Sequence, residues 1–345
     1  MKVLHILQSN RYSGAENVVC QIIAMFGNDP DVEMVYCSRD GQIREALAER
    51  GIRFVPIVEL NAKEVKRVIR AEKPDLIHAH DMGASFYASL VCGKIPLVSH
   101  IHNNAFDSRG VSVKSILYRL AAKKAKHIFW VSQSAYEGYA FHKKFEKKSS
   151  VLYNILDMKA LVKKMETDPN AYDYDIIFLG RLTYPKHPQR LISVMEQIVR
   201  ARPQTTMAVV GTGDLEEEIR NLVAEKKLEN NVIFLGFQSN PQKILHDSKL
   251  MIMTSRWEGT PMCALEAMAL GVPIVSTPTD GLCALVEDGK TGYLCQEDEA
   301  LAEKCLKIIE SEELREDMSK ASVQKSVQMN NIEVYRAKIR QAYKK

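Results

Sequence analysis

"LMIMTSRWEGTPMCALEAMALGVPIVSTP", residues 250–278, opens on an apolar run and turns at Glu258-Gly259-Thr260-Pro261. A short apolar helical pattern follows, stops at Gly271, and gives way after Val272 to a second apolar run. Strand, helix, strand is a βαβ unit, and uninterrupted apolar strands belong to a parallel sheet covered on both faces. Thr260 is the expected N-cap and Pro261 the expected first helical residue, with the helix running to Leu270. Glu258 and Glu266 flank the helix start with seven residues between them. The leading N–H groups of Met262, Cys263 and Ala264, with the helix dipole, are expected to form an anion site. A ligand with hydroxyls on both sides of a phosphate would engage both carboxylates. That describes a nucleotide sugar.

The same alternation extends through the chain. Strands are expected at 2–7, 33–38, 53–57, 74–79, 95–101 and 127–132, and again at 176–180, 206–211, 232–236, 250–255 and 273–278, with amphipathic stretches between them. The polar segment "DMKALVKKMETDPNAYDYD" (157–175) interrupts the pattern. The chain thus reads as α/β, two doubly wound Rossmann-like domains facing a central cleft. The first is expected over 1–160, a linker or hinge over 161–175, and the second over 176–329. A basic amphipathic helix, 330–345, could cross back to the first domain. Ligands of open parallel sheets bind beyond the carboxyl ends of the strands, so those corners are where chemistry is expected.

Composition fits this class. The 345 residues are 46% hydrophobic and 26% charged. No apolar run reaches the length of a membrane span, and "MKVLHILQSN" reads as a first strand rather than a leader. The seven cysteines form no CxxC pair and read as reduced core residues of a cytoplasmic protein. Residues 1–165 carry 25 Lys and Arg against 16 Asp and Glu, while residues 166–345 carry 22 against 27. Much of the basic excess lies at Lys123, Lys124, Lys126, Lys143, Lys144, Lys147 and Lys148. Either a solvated helix face or attraction to an anionic partner, such as a membrane surface or a polyanionic acceptor, explains it; nucleic acid is not expected.

Other strand ends carry residues suited to a phosphorylated ligand. Gly14 opens a helix after the first strand, but GxGxxG and GxxxxGK are both missing, which argues against a dehydrogenase or a P-loop. Arg181 and Lys186 follow a strand in "FLGRLTYPKHPQRLI" and can hold a diphosphate. Gly211, and Gly236 with Phe237, form corners where a flat base could approach the backbone. "IHAHD" (77–81) and "SHIHNN" (99–104) pair histidines on strand faces. No Cys pair or carboxylate pattern completes a zinc site, so they read as packing residues, except His102 at its strand end. The triplets "DPD" (29–31) and "DYD" (173–175) read as turns.

Together these residues resemble the family 4 glycosyltransferases of the GT-B fold. "EGTPMCALEA" looks like their E-x7-E signature. "SGAE", "PDLIHAHD", "VSHIHN", "VLYNILD", "GRLTYPKHPQRLI", "VGTGDLEEEI" and "GVPIVSTPTDGLCALVEDGKTGYL" resemble further family segments in the family's order. His187 departs from a usual glycine, and Asp280 from a usual small residue. The resemblance implies a retaining, metal-independent transfer of a hexose or N-acetylhexosamine from a nucleotide-diphosphate sugar, with UDP the expected nucleotide. The acceptor would be a glycan or lipid-linked intermediate of surface polysaccharide or glycoconjugate synthesis. It implies that Arg181 and Lys186 hold the diphosphate, Glu266 the ribose, and Glu258 with the Gly259, Thr260, Met262 and Cys263 backbone the sugar. His102 and the Gly14 loop would reach across from the first domain. No cofactor is implied. The expected location is the cytoplasm, with peripheral attachment to the inner face of the plasma membrane. A sugar-nucleotide epimerase of the same fold, or a non-catalytic nucleotide-sugar-binding subunit, are the alternatives.

Overall fold

The computed structural model describes residues 1–12, 14–102 and 110–344. Ser13 of "SGAE" and Asn103 and Asn104 of "SHIHNN" lie outside the described residues. The chain forms two compact units, Met1–Ile155 with Asn331–Lys345, and Leu156–Asn330.

The first unit contains β1 (Lys2–Ile6), β2 (Glu33–Arg39), β3 (Phe54–Ile57), β4 (Leu76–His80), β5 (Leu97–Ile101), β6 (His127–Trp130) and β7 (Ser149–Val151). They form one parallel sheet in the order β3-β2-β1-β4-β5-β6-β7. One face buries Leu4, Ile6, Val35, Ile77, Ala79, Leu97, Ile128 and Trp130. The opposite face carries His5, His78, His80 and His100, paired across the strands as His5 with His78 and His80 with His100.

The second unit contains β8 (Ile176–Leu179), β9 (Met207–Val210), β10 (Val232–Gly236), β11 (Leu250–Met253), β12 (Ile274–Ser276) and β13 (Gly292–Leu294), in the order β10-β9-β8-β11-β12-β13. Its strands alternate between two cores. Ile176, Phe178, Met207, Val209, Leu250, Ile252 and Val275 face one. Ile177, Ala208, Val210, Met251, Met253 and Ile274 face the other. Burial on both faces is why these strands read as unbroken apolar runs. The strand order reverses between β8 and β11, so the carboxyl ends of those two strands flank the switch point.

Three readings change. The break between units falls after Ile155, ahead of the expected linker. Asp157 caps the helix Met158–Glu166 by accepting from the Ala160 N–H at 2.9 Å, and Leu161 of that helix is buried in the second unit. Next, the aspartates of the two triplets do more than turn the chain. Asp29 pairs with Arg336 and Arg340 of the helix Ile332–Lys344, and Asp175 pairs with Arg202 and Lys249. Finally, five cysteines are buried, but Cys263 is half-buried and Cys283 is exposed. Among the described residues no helix is long and apolar enough to cross a membrane.

Candidate active site

In the second unit β8 delivers Gly180 and Arg181, and the 3-10 turn Tyr184–Lys186 brings Lys186 back over the strand end. The Lys186 stem lies 3.7 Å from the Cβ position of Gly180. β11 delivers Thr254, Ser255 and Glu258. Across the switch point Lys186 Nζ meets Glu258 Oε1 at 2.6 Å, and Ser255 Oγ donates to the same oxygen at 2.6 Å. Both charged side chains are largely withdrawn from water, at 19% and 9% exposed. Burial alone would lower the Lys186 pKa, but the Glu258 charge and hydrogen bond outweigh it and hold the ammonium above its usual value. Arg181 is exposed beside this pair.

Hydroxyls set the loop geometry. Thr254 Oγ1 donates to the carbonyls of Lys186 and His187, and Thr277 Oγ1 donates to the Ser255 carbonyl. The Arg256 N–H donates to Pro185 O at 2.8 Å. These bonds tie the two sides of the switch point into one frame.

Glycines let the strand ends close up. The Gly211 N–H donates to Gly236 O at 2.7 Å, and a Cβ on Gly211 would lie 2.1 Å from Gly180 O. A Cβ on Gly281 would lie 1.6 Å from Gly259 O, so the helix Asp280–Leu285 docks directly on the loop that carries Glu258. Phe237 stands 70% exposed just past Gly236.

The helix after this loop is Met262–Ala269, and its N-cap is Pro261, in extended geometry at ψ 123°. Thr260 therefore sits one residue too early to cap it and is buried in the preceding loop. The Ala264 N–H already donates to Pro261 O at 3.2 Å, so Met262 and Cys263 supply the leading amides. Glu266 lies on the second turn, half-buried. Burial pushes its carboxyl up to about 7, against a small opposing effect of Lys164. Burial also pushes the Cys263 thiol up to about 12, which keeps it neutral.

His187 occupies the left-handed region at φ 51°, ending the 3-10 turn and opening the helix Pro188–Ala201. That conformation explains the usual glycine at this point.

The structure thus gathers Arg181, Lys186, Gly211, Gly236, Phe237, Glu258, Gly259, Thr260, Met262, Cys263 and Glu266 within the second unit. Gly14 and His102 belong to the first. Gly14 begins the helix Gly14–Phe26. His102 follows β5, half-buried, with Nε2 2.8 Å from His80 Nδ1 and its N–H donating to Asp81 Oδ1. Burial pushes the His102 imidazole down to about 3. Reading strand ends by charge and glycine misses Thr254, Ser255, Thr277 and Gly281, although short hydroxyl residues after apolar strands signal the first three. Lys164, expected in a linker, instead bears on Glu266.

The lysines also separate. Lys123, Lys124, Lys143, Lys144 and Lys147 are exposed. Lys148 Nζ instead donates to the carbonyls of Lys123 and Ala125, and Lys126 Nζ to the carbonyl of Tyr343, so these two are structural ties. The helix Val113–Lys124 buries Ser115, Tyr118, Ala121 and Ala122. Its outer face shows Val113, Ile116, Leu117 and Leu120 at 76%, 51%, 41% and 54% exposed. Charge counting does not reveal this apolar ridge.

Comparisons with known proteins agree with this architecture. Residues 12–160 match the family described as Glycosyltransferase Family 4, and residues 163–325 match Glycosyl transferases group 1. N-acetyl-alpha-D-glucosaminyl L-malate synthase of Bacillus anthracis is 26% identical, over 74% of this chain and 71% of its own length. UDP-Gal:alpha-D-GlcNAc-diphosphoundecaprenol alpha-1,3-galactosyltransferase of Escherichia coli is 23% identical, over 86% and 84%. The crystal structure of Anabaena Alr3699/HepE in complex with UDP and glucose superposes with a TM-score of 0.88 at 22% identity, covering 100% of this chain and 99% of that one. With the two family matches in series and two doubly wound domains of the GT-B type, the chain belongs to the family 4 glycosyltransferases.

Proposed function

We propose that this glycosyltransferase is a retaining enzyme. It moves a hexose or N-acetylhexosamine from a nucleotide-diphosphate sugar, UDP-sugar foremost, to a glycan or lipid-linked acceptor of surface polysaccharide or glycoconjugate synthesis. The observation that carries this reading is the Lys186–Glu258 pair at the β8/β11 switch point, with Arg181 beside it. Arg181 and Lys186 offset the charge of the leaving diphosphate, an electrostatic role that does not call on a metal ion. Glu258 and the Gly259–Cys263 backbone take the sugar, Glu266 takes the ribose hydroxyls, and the Gly236–Phe237 corner takes the base. His102 and the Gly14 loop serve the same reaction from the first unit. The named activities of the Bacillus and Escherichia relatives support the choice of sugar and acceptor classes. The test is a panel of nucleotide sugars with candidate acceptors, with and without EDTA, following nucleotide release and the anomeric configuration of the product. An α product from an α donor, formed equally in EDTA, supports the reading. An inverted product, or loss of activity in EDTA, overturns the corresponding part.

We further propose that the protein works peripherally on the inner face of the plasma membrane. The exposed apolar ridge of the helix Val113–Lys124, flanked by Lys123 and Lys124, supports this. An amphipathic helix with cations beside an apolar face suits an anionic interface.

A further inference from the structure

Five histidines meet on one face of the first unit's sheet. His5 comes from β1, His78 and His80 from β4, and His100 from β5, with His102 just beyond. Their rings pack closely, with centroids 4.3 Å apart for His78 and His80 and 5.0 Å for His5 and His78. The four strand histidines are at most 2% exposed.

The hydrogen bonds of this cluster do not close. His5 Nδ1 lies 3.0 Å from His80 Nε2, His80 Nδ1 lies 2.8 Å from His102 Nε2, and His78 Nδ1 lies 2.8 Å from Tyr343 Oη. The other five ring nitrogens, His5 Nε2, His78 Nε2, His102 Nδ1 and both of His100, are buried with no partner among the described residues. A neutral imidazole carries one N–H, and each buried polar group left unpaired costs roughly 1–3 kcal/mol. Native proteins leave few such groups, so an orphan such as His78 Nε2 calls for a partner.

We propose that His5, His78 and His80 form a structural site for a late first-row transition-metal ion of the zinc class. One ring nitrogen from each lies within 4.8 Å of the other two. Ligand nitrogens about 2.0–2.1 Å from a tetrahedral zinc stand roughly 3.3 Å apart, close to the 3.0 Å between His5 Nδ1 and His80 Nε2. Imidazole suits zinc, copper and nickel alike. The outer partners that orient metal-bound histidines are also in place. Tyr343 Oη holds His78 Nδ1, leaving Nε2 to bind, and His102 Nε2 meets His80 Nδ1. Three ligands leave a fourth position to water. The pairing of His78 and His80 within one strand does not by itself reveal such a site, because the third ligand comes from β1, some seventy residues away. Tyr343 adds the C-terminal helix to the same site, so the metal would join the chain's two ends within this unit.

The test uses the full chain expressed with zinc, and the same chain stripped and refolded with Co2+, since the site is closed in the folded protein. About one zinc per chain after dialysis, and the visible bands of tetrahedral cobalt, are expected. His78→Gln should lose both, whereas His246→Gln, an exposed histidine of the second unit, should keep both. Tyr343→Phe removes only an outer hydroxyl, so it keeps the proposal testable if His78→Gln does not fold. Its zinc affinity should fall about 10–100-fold. A wild-type chain that takes up neither metal, or equal metal binding by wild type, His78→Gln and Tyr343→Phe, overturns the proposal.

Discussion

Lys186 and Glu258 share one hydrogen bond at 2.6 Å, and the same carboxylate oxygen also accepts from Ser255. The ammonium is thus aimed across the switch point by a group 72 residues away in sequence. A diphosphate that drew Lys186 toward itself would loosen Glu258 for a sugar hydroxyl, coupling donor binding to the positioning of the sugar. Lys186→Ala should therefore lower kcat far more than it weakens nucleoside binding. Each of Lys186→Ala and Glu258→Ala should also destabilise the second unit by leaving the other charge poorly solvated. The double variant should lose less than the sum, with a coupling of roughly 0.5–3 kcal/mol. Denaturation of all four proteins measures that coupling, and strict additivity would show that the pair is not energetically linked.

Glu266 has a carboxyl raised by burial to about 7. Because its folded value lies above the unfolded one, its stabilising contribution is complete below the unfolded value, near pH 4.5. It is lost as pH rises through about 7. Glu266→Gln should therefore gain stability relative to wild type between pH 5 and pH 8, read from melting curves of the unliganded protein. Binding of the free nucleoside diphosphate should move oppositely. Loss of a charge-assisted bond to ribose costs about 1.5–3 kcal/mol, so Glu266→Ala should bind UDP at least tenfold more weakly at pH 8. Calorimetric titration showing equal affinities would remove this residue from the ribose.

Gly281 touches the site without any functional group of its own. A Cβ there would lie 1.6 Å from Gly259 O, and backbone cannot yield as a flexible side chain can. Gly281→Ala should push the Glu258–Gly259 loop away from Lys186. The expected result is a folded protein with a raised donor KM and lowered kcat. Wild-type kinetics in Gly281→Ala would mean that the loop has slack.

Most of the second unit was legible because its strands are covered on both faces. Ile177 and Phe178 serve opposite cores, so apolar character never lapses along the strand. The edge strands Ser149–Val151 and Gly292–Leu294 leave no signal in the sequence, because three residues against one neighbour need no apolar run. Long-range partners were equally silent. Nothing near Asp29 announces Arg336 and Arg340, and nothing near His78 announces Tyr343, 265 residues away. The site corners were readable as charges and glycines, but their pairing was not. Sequence alone gives Lys186 and Glu258 separate ligands, and only the β8/β11 reversal shows that they meet.

His187 keeps a non-glycine side chain in the left-handed region at φ 51°. That conformation costs an L-residue roughly 1–2 kcal/mol, while glycine loses about 0.5–1 kcal/mol of chain entropy in return. His187→Gly should therefore melt at or slightly above the wild-type temperature, whereas His187→Ala should gain nothing. If His187→Gly is clearly destabilised, the imidazole contributes contacts that outweigh the strain.

The membrane reading rests on two features of one surface, and they can be separated. Each Lys near an anionic surface contributes about 1 kcal/mol, and screening over roughly 8 Å at physiological salt weakens it. The ridge formed by Val113, Ile116, Leu117 and Leu120 adds burial that salt does not screen. Co-sedimentation with liposomes should therefore require anionic lipid, fall steeply with salt, and retain a residue of binding at high salt. Reversing Lys123, Lys124, Lys143, Lys144 and Lys147 should remove the salt-sensitive part. Leu117→Ser with Leu120→Ser should remove the remainder. Lys126 and Lys148 are left intact, because their ammonium groups tie down backbone carbonyls and their loss would disturb the fold. Both variants should bind UDP as wild type does, since the residues assigned to it lie in the other unit. Equal binding to neutral liposomes would refute the electrostatic half, and no binding at low salt would return the lysines to a solvated surface.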